Sequence, residues 1–143
     1  FVVQFRPPPT PPPPSPPLSS GCTGHTFADK ASLRTAVKEY DSNAAAATAK
    51  YGPIGSWCVS GVTDMKNLFY YLRNFNADIS SWDTSRVTTM RYMFQFAKAF
   101  NQPLSWDTSS VTDFTGMFVD ARSLSAANKL LIRCAWEGNP AFV

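Results

Sequence analysis

The sequence has few of the residues on which catalysis and metal binding usually depend. Its 143 residues include one histidine, His25, and three cysteines without CxxC spacing. His25 lies in a glycine-rich joint three residues after Cys22, with no neighbouring carboxylate, so a catalytic or metal-binding pair is disfavoured there. The chain has no GxSxG motif and no glycine-rich phosphate loop. We therefore expect no cofactor and no enzymatic activity.

Long runs of one chemical character are also missing. The net charge of +3 comes from 13 Lys and Arg against 10 Asp and Glu without a basic run, so nucleic acid is not an expected partner. No stretch of about 18 apolar residues occurs, which argues against membrane insertion. An N-x-[ST] acceptor for N-glycosylation is absent as well.

Proline is abundant, and most of it lies near the N-terminus. Residues 7–17 read PPPTPPPPSPP and predict polyproline II, because proline fixes φ and lacks an amide donor. Before this stalk, Phe1, Val3 and Phe5 alternate with their neighbours as in a β-strand. The sequence thus predicts an extended strand held away from the body of the molecule by a semi-rigid spacer.

Three later segments, beginning at Trp57, Trp82 and Trp106, repeat one another at spacings of 25 and 24 residues. Each predicts a coil with an extended piece such as 104–108 and a helical turn such as 112–121. Coils of this size must stack to bury their apolar sides. The expected core ladders are Val62, Val87 and Val111; Met65, Met90 and Phe114; Leu68, Met93 and Met117; Phe69, Phe94 and Phe118; and Phe75, Phe100 and Leu124.

Helical segments are predicted at both ends of the repeats. The first has an apolar stripe through Leu33, Val37 and Tyr40 and could be capped by Thr26 or Asp29. An Ala-rich second helix follows at 44–50. The last helix, 125–136, carries Leu130, Leu131 and Trp136 and is expected to close the final coil.

The repeat core WDTSxVTxMxxMF followed by AxxFN, at 82–101, closely resembles the BspA-like bacterial surface protein repeat, a relative of leucine-rich repeats. The YGxIxxW segment at 51–57 resembles the start of the repeats in that family. The resemblance implies an extracellular or cell-surface location, adhesion and no catalytic residues. The predicted fold class is an α/β repeat, a short leucine-rich-repeat-like solenoid of about three coils with helical N- and C-terminal caps. The predicted regions are strand 1–6, stalk and joint 7–24, N-terminal cap 25–56, repeats 57–124, and C-terminal cap and tail 125–143.

The Pro-rich stalk resembles those of algal and plant hydroxyproline-rich cell-wall glycoproteins. This resemblance implies hydroxylation and O-glycosylation of the stalk. The implied positions are Pro8, Pro9, Thr10, Pro11, Pro12, Pro13, Pro14, Ser15 and Pro16.

Three cysteines cannot all pair within one chain. If the N-terminal cap lies against the first repeat, Cys22 and Cys58 are the better-placed pair for a disulfide. Cys134 is then either buried in the last helix or paired between chains.

Two ladders within the repeats contain residue types that also bind metals. Asp83 and Asp107, flanked by Ser and Thr, could supply oxygen ligands to Ca²⁺. Hydrogen bonding to backbone amides is the favoured role for such residues at turns. The Met ladder favours a core role over a metal or ligand site.

The leading functional hypothesis is a non-enzymatic extracellular structural glycoprotein that polymerises head to tail, with the N-terminal strand and the Pro-rich stalk docking on a neighbouring copy. An apolar strand beyond a rigid spacer can pair with a neighbour's exposed edge, and such a contact propagates into a filament. The alternative is a cell-surface adhesin module that binds protein or glycan through the solenoid while the stalk projects it. A separate interpretation of segment 1–6 is the end of a preceding domain. The residues assigned to assembly are Phe1, Val2, Val3 and Phe5.

Overall fold

The structure is a computed structural model that describes residues 22–142. It contains helices α1 (Lys30–Ser42), α2 (Ala44–Tyr51) and α3 (Ala126–Trp136), and a 3-10 turn at Ile54–Ser56. The predicted strand 1–6 and all but the last three residues of the predicted stalk and joint lie outside the described residues.

The predicted α/β repeat solenoid is wrong. Within residues 22–142 the structure has three α-helices and no β-sheet, and the helices lie before and after the repeats. The extended piece 104–108 is irregular chain, and 112–121, expected to be helical, consists mainly of turns. Among the described residues the β-bridges between repeats are isolated and parallel, joining Asp64 to Thr89 and Thr89 to Asp113.

The segment expected to be a helical turn is instead a ribbon of overlapping β-turns. In the third repeat the amides of Met117, Val119 and Ala121 donate to carbonyls three residues earlier at 3.1–3.2 Å, whereas an α-helix would bond four residues back. The alternate amides point to the next repeat, as when Phe94 donates to the Met117 carbonyl at 2.8 Å. We call these segments, 65–72, 90–97 and 114–121, the turn ribbons.

Each turn ribbon has two residues with positive φ, as the third position of a type II turn requires. Gly116 has a φ of 61°, and a Cβ added there would lie 2.5 Å from the Tyr92 ring. Glycine therefore avoids both the strain of a positive φ and a clash with the Tyr92 ring at this position. The two ladders with positive φ are Asn67, Tyr92 and Gly116, and Tyr71, Phe96 and Asp120.

The apolar ladders stack in the predicted register and form the core. The rings of Phe69 and Phe94 are 4.9 Å apart and those of Phe94 and Phe118 are 5.6 Å apart, nearly parallel in both pairs. Every predicted ladder residue is buried except Phe118, which is half-buried. The Trp82 indole donates to the Ile54 carbonyl in the 3-10 turn at 2.8 Å, and the Trp106 indole donates to the Ile79 carbonyl near the end of the first repeat at 2.9 Å. Because these polar N–H groups find acceptors, the tryptophans can be buried at low cost.

The N-terminal helices form where the sequence predicts them. The Asp29 carboxylate caps α1 by accepting from the Ser32 amide at 2.8 Å, and α1 buries Leu33, Ala36 and Val37. Asn43 caps α2 in the same way, and Gly52 ends it with a φ of 80°.

The C-terminal helix packs on the core through Trp136, as predicted, but not through Leu130 and Leu131. Leu130 and Leu131 are 59% and 53% exposed, whereas Ile132 and Trp136, one turn apart, are buried. These two are the buried residues of α3. Burial of Cys134 is also wrong, because this cysteine is exposed.

Candidate functional site

The first turn ribbon begins the repeat stack and presents carbonyls at its outer edge. In the second and third ribbons the equivalent carbonyls accept amides from the preceding ribbon. From residue 22 onwards no ribbon precedes the first, and α1 supplies donors instead. The Arg34 guanidinium donates to the Leu68 carbonyl at 2.6 Å and to the Tyr70 carbonyl at 3.0 Å. A guanidinium suits this task because its planar fork carries several N–H donors. We call this end of the stack the carbonyl edge.

Charged contacts surround the carbonyl edge. Lys30 lies 2.9 Å from Asp64, and the Asp41 carboxylate accepts from the Asn74 amide at 2.9 Å. Partial burial raises the pKa of Asp64, but hydrogen bonds from Lys30 and from the Lys66 amide lower it more, so its pKa lies below its usual value. Burial lowers the pKa of Arg34, with Asp41 opposing the shift.

The third turn ribbon ends the stack and presents amides. In the first two ribbons the eight equivalent amides donate to the next ribbon at 2.8–3.0 Å. Within residues 22–142, the four amides of the third ribbon have no hydrogen-bond acceptor. We call this end the amide edge; its donors are the amides of Phe114, Gly116, Phe118 and Asp120.

The tail after α3 follows the amide edge without pairing with it. The Phe142 ring packs against Phe114 and Trp136, both at 5.1 Å. Ala141 and Phe142, together with 112–119, line a groove of about 440 Å³. The buried Trp136 indole N–H also lacks an acceptor within the described residues. Within residues 22–142 the C-terminal cap thus closes the apolar core but offers these amides no acceptor. This leaves a row of N–H donors beside a groove lined by both polar and apolar residues.

One family model matches residues 32–132, a range from α1 through the repeats into α3, under the description "Mycoplasma protein of unknown function, DUF285". The chain belongs to the DUF285 family. This family is associated with BspA-like repeat proteins, which supports that part of the predicted resemblance, and its description assigns no function. No curated protein and no solved structure matches the chain.

In this DUF285 chain the candidate metal ligands are engaged in local hydrogen bonds. The Asp83 carboxylate accepts from the Ser85 amide and hydroxyl, and Asp107 accepts from Ser109 in the same way, the hydroxyl distances being 2.6 Å. The Ser109 hydroxyl and amide lower the pKa of Asp107. No group of three His, Cys, Asp or Glu suited to a metal occurs in 22–142. His25 packs between the rings of its neighbours Phe27 and Tyr51.

The structure describes the cysteines assigned from sequence, whereas the assigned N-terminal residues lie outside the described range. Cys22 and Cys58 form a disulfide with 5.6 Å between their Cα atoms, which fixes the start of the described chain to the first repeat. The assembly residues Phe1, Val2, Val3 and Phe5 lie outside the described residues, as do the implied modification sites from Pro8 to Pro16. Among 22–142, no helix is long and apolar enough to cross a membrane.

Sequence reasoning missed the amide edge. The signal available was that the Gly116 and Asp120 ladders have no fourth copy after residue 121. Which amides point out of a ribbon depends on the turn conformation. The repeat pattern predicts a helical turn, in which the amides would point along the helix axis instead.

Proposed function

We propose that this DUF285 chain is a non-enzymatic extracellular structural glycoprotein whose copies assemble head to tail. In this assembly the N-terminal segment 1–6 of one copy docks along the amide edge of the next. The observation that carries the proposal is the row of four amides in the third turn ribbon that have no acceptor within residues 22–142. Unpaired backbone donors along an exposed edge are a template for pairing with another chain.

The N-terminal segment has the chemistry that the groove requires. The unpaired amides alternate along the ribbon, and the carbonyls on one side of an extended chain also recur every second residue. Phe1, Val3 and Phe5 would share one face of such a chain. That face can pack on the apolar groove wall formed by Phe114 and Phe142, so hydrogen bonding and apolar burial would act together.

The difference between the two edges supports one direction of growth. The Arg34 guanidinium already donates to two carbonyls at the carbonyl edge, whereas the part of the chain that the structure describes offers no acceptor to the amide edge. Each copy therefore offers one docking edge and one N-terminal segment. A contact between two unlike surfaces produces an open filament unless the rotation between copies closes a ring.

An extracellular setting agrees with the sulfur chemistry. The Cys22–Cys58 disulfide is the kind of bond that persists in oxidising compartments. The Pro-rich stalk at 7–17 supplies proline, Thr10 and Ser15 for hydroxylation and O-glycosylation. These features support a secreted or surface glycoprotein.

Electron microscopy of the full chain beside a variant lacking 1–6 tests the proposal. Filaments are expected from the full chain and isolated particles from the variant. Phe5→Asp should also abolish filaments, because it places a charge on the face that packs against the groove. Gln4→Asp is the matched control: it adds the same charge on the opposite face and should preserve them.

A peptide titration locates the contact. Adding the peptide FVVQFR to the variant that lacks 1–6 should shift the NMR amide signals of Phe114, Gly116, Phe118 and Asp120 and leave that of Tyr92 unchanged. Filaments that persist without 1–6 would contradict the proposal. Binding of a host protein or glycan by a chain that stays monomeric would favour the adhesin hypothesis instead.

A further inference from the structure

A second surface outside the amide edge is formed by an aromatic cluster on the first two turn ribbons. The cluster consists of Tyr70, Tyr71 and Phe96. The Tyr71 ring lies 4.9 Å from that of Tyr70 and 4.8 Å from that of Phe96. Tyr71 is 44% exposed, and the other two rings are half-buried. Within the described residues these rings contact one another and no other aromatic ring, so they are not an extension of the core.

The backbone conformation makes aromatic residues an expensive choice at two of these positions. Tyr71 and Phe96 have φ of 62° and 59°. A left-handed residue that is not glycine costs about 1–2 kcal/mol, and asparagine and aspartate adopt this conformation more easily than aromatic residues do. The third member of their ladder is Asp120, a residue of the tolerant type. Large rings are thus held outward at a backbone cost that core packing does not explain, as is found at ligand-binding sites.

The cluster offers stacking faces together with hydrogen-bond donors. The Arg73 guanidinium lies 5.3 Å from the centre of the Tyr71 ring. The hydroxyls of Tyr70 and Tyr71 have no hydrogen-bond partner in residues 22–142. A ligand suited to this surface has flat apolar faces and many acceptors but few donors. Proline in the polyproline II conformation meets this description, because its ring is apolar and its backbone has a carbonyl but no N–H.

The chain itself contains such a ligand at 7–17, outside the described residues. Pro-rich segments dock on aromatic-lined surfaces at low entropic cost, because polyproline II is already extended before binding. We propose that the aromatic cluster binds the Pro-rich segment 7–17 of a neighbouring copy. This inference rests on the proposed head-to-tail assembly and names the second contact within it.

The position of the cluster fits a segment that continues from the amide edge. Asp120, whose amide belongs to that edge, follows Tyr71 and Phe96 in one ladder. Two steps along the ladder cover about 10 Å. Eleven residues of polyproline II span roughly 34 Å. A copy whose residues 1–6 occupy the amide edge could therefore lay its stalk across Phe96 and Tyr71.

The test is calorimetric titration of the peptide PPPTPPPPSPP into the variant that lacks 1–6, because assembly of the full chain would fill the cluster with the stalks of neighbouring copies. The peptide is made from proline and in parallel from 4-hydroxyproline. Binding of either form is expected. Tyr71→Asn and Phe96→Asn should each weaken it about tenfold or more through loss of ring contacts. Their melting temperatures should stay the same or rise, because asparagine accepts positive φ. Tyr92→Asn, which makes the same kind of change at a positive-φ position of the other ladder, should bind the peptide as the unsubstituted protein does.

Other outcomes separate this inference from the proposed function. If filaments require 1–6 but neither peptide binds, the inference fails and the assembly stands. If a peptide binds through Tyr71 but filaments still form without 1–6, the proposed function fails and the binding site stands. Oligosaccharide binding that Tyr71→Asn abolishes, without any peptide binding, would overturn the inference in favour of a glycan site.

Contact between copies is tested by capture between two variants. One variant keeps the cluster but has Gly and Ser in place of the stalk prolines, and the other keeps the stalk but carries Tyr71→Asn and Phe96→Asn. Both lack 1–6, so that the amide-edge contact is absent. The first should capture the second, and two copies of the second should not capture each other. Failure of the first pair would overturn docking between copies.

Discussion

The two ends of the repeat stack have the same turn ribbon but are covered in different ways. At the carbonyl edge, Arg34 of α1 donates to two outward carbonyls. At the amide edge, α3 contributes Ile132 and Trp136 to the core but offers no acceptor to the outward amides within the described residues. A terminal helix can therefore close the apolar core of a repeat array while leaving its hydrogen-bond ladder open. This difference gives the stack a direction.

The largest effect should come from removing the apolar closure at the amide edge. Trp136→Ala should lower the free energy of unfolding by about 3–5 kcal/mol, as is usual when a buried tryptophan is truncated. Leu131→Ala, on the exposed face of the same helix, should change it by about 0.5 kcal/mol or less. Urea denaturation measures both. Equal losses would mean that α3 packs through a different face.

Hydrogen exchange measures the difference between the edges directly. The amides of Gly116 and Asp120 should exchange about 100-fold faster or more than those of Tyr92 and Phe96, which occupy the same ladders but donate to the next ribbon. NMR exchange on the variant lacking 1–6 gives the rates without interference from assembly. Slow exchange at Gly116 would show that its amide has an acceptor.

A variant that opens the carbonyl edge should make the two ends more alike. Arg34→Ala leaves the Leu68 and Tyr70 carbonyls without their guanidinium donor and should cost about 1–3 kcal/mol. Lys38→Ala, at an exposed position of the same helix, serves as the control. Thermal melts compare the two variants. An Arg34→Ala protein as stable as its control would show that solvent satisfies these carbonyls equally well.

The smallest effect concerns pH at the carbonyl edge. The folded pKa of Asp64 is lower than the usual value, on balance, because of hydrogen bonds from Lys30 and from the Lys66 amide. The stabilisation is thus complete above the unfolded pKa of about 3.9 and is lost as pH falls through it towards the folded value. With both side chains of the pair exposed, the contribution should be about 0.5 kcal/mol or less. The Asp64→Asn variant should lose less stability than the original chain between pH 5 and 2.5 in thermal melts; an identical loss would contradict the assignment.

Much of the core could be predicted from sequence, because residues that stack on one another recur as apolar residues at the repeat spacing. Val62, Val87 and Val111 align at the repeat spacing and are all buried, and the Asp29 cap could be predicted from local chemistry. The fold class could not, because apolar residues three and four apart suit overlapping turns as well as a helix. Tyr71 illustrates the difficulty. Aromatic residues rarely have positive φ, so an aromatic residue at this position does not indicate a type II turn.

The candidate sites could be predicted less well, since they depend on which backbone amides find no acceptor. No sequence pattern distinguishes the Phe94 amide, which donates to the next repeat, from the Phe118 amide, which has no next repeat in the described chain. The exposed position of Leu130 and Leu131 was missed for a related reason. The side of a short helix that meets the core depends on the shape of the surface it covers, and its composition does not record that shape.

Because alternate amides of each turn ribbon donate to the next ribbon, the number of repeats in a subunit does not change its number of docking edges. Each ribbon passes its donors to the next one, so a stack of three repeats and a stack of ten would have the same two ends. Adding repeats would lengthen the subunit by about 5 Å each without creating another docking edge. Under head-to-tail assembly, gain or loss of repeats would change the spacing along a filament while the number of contacts per subunit stays constant.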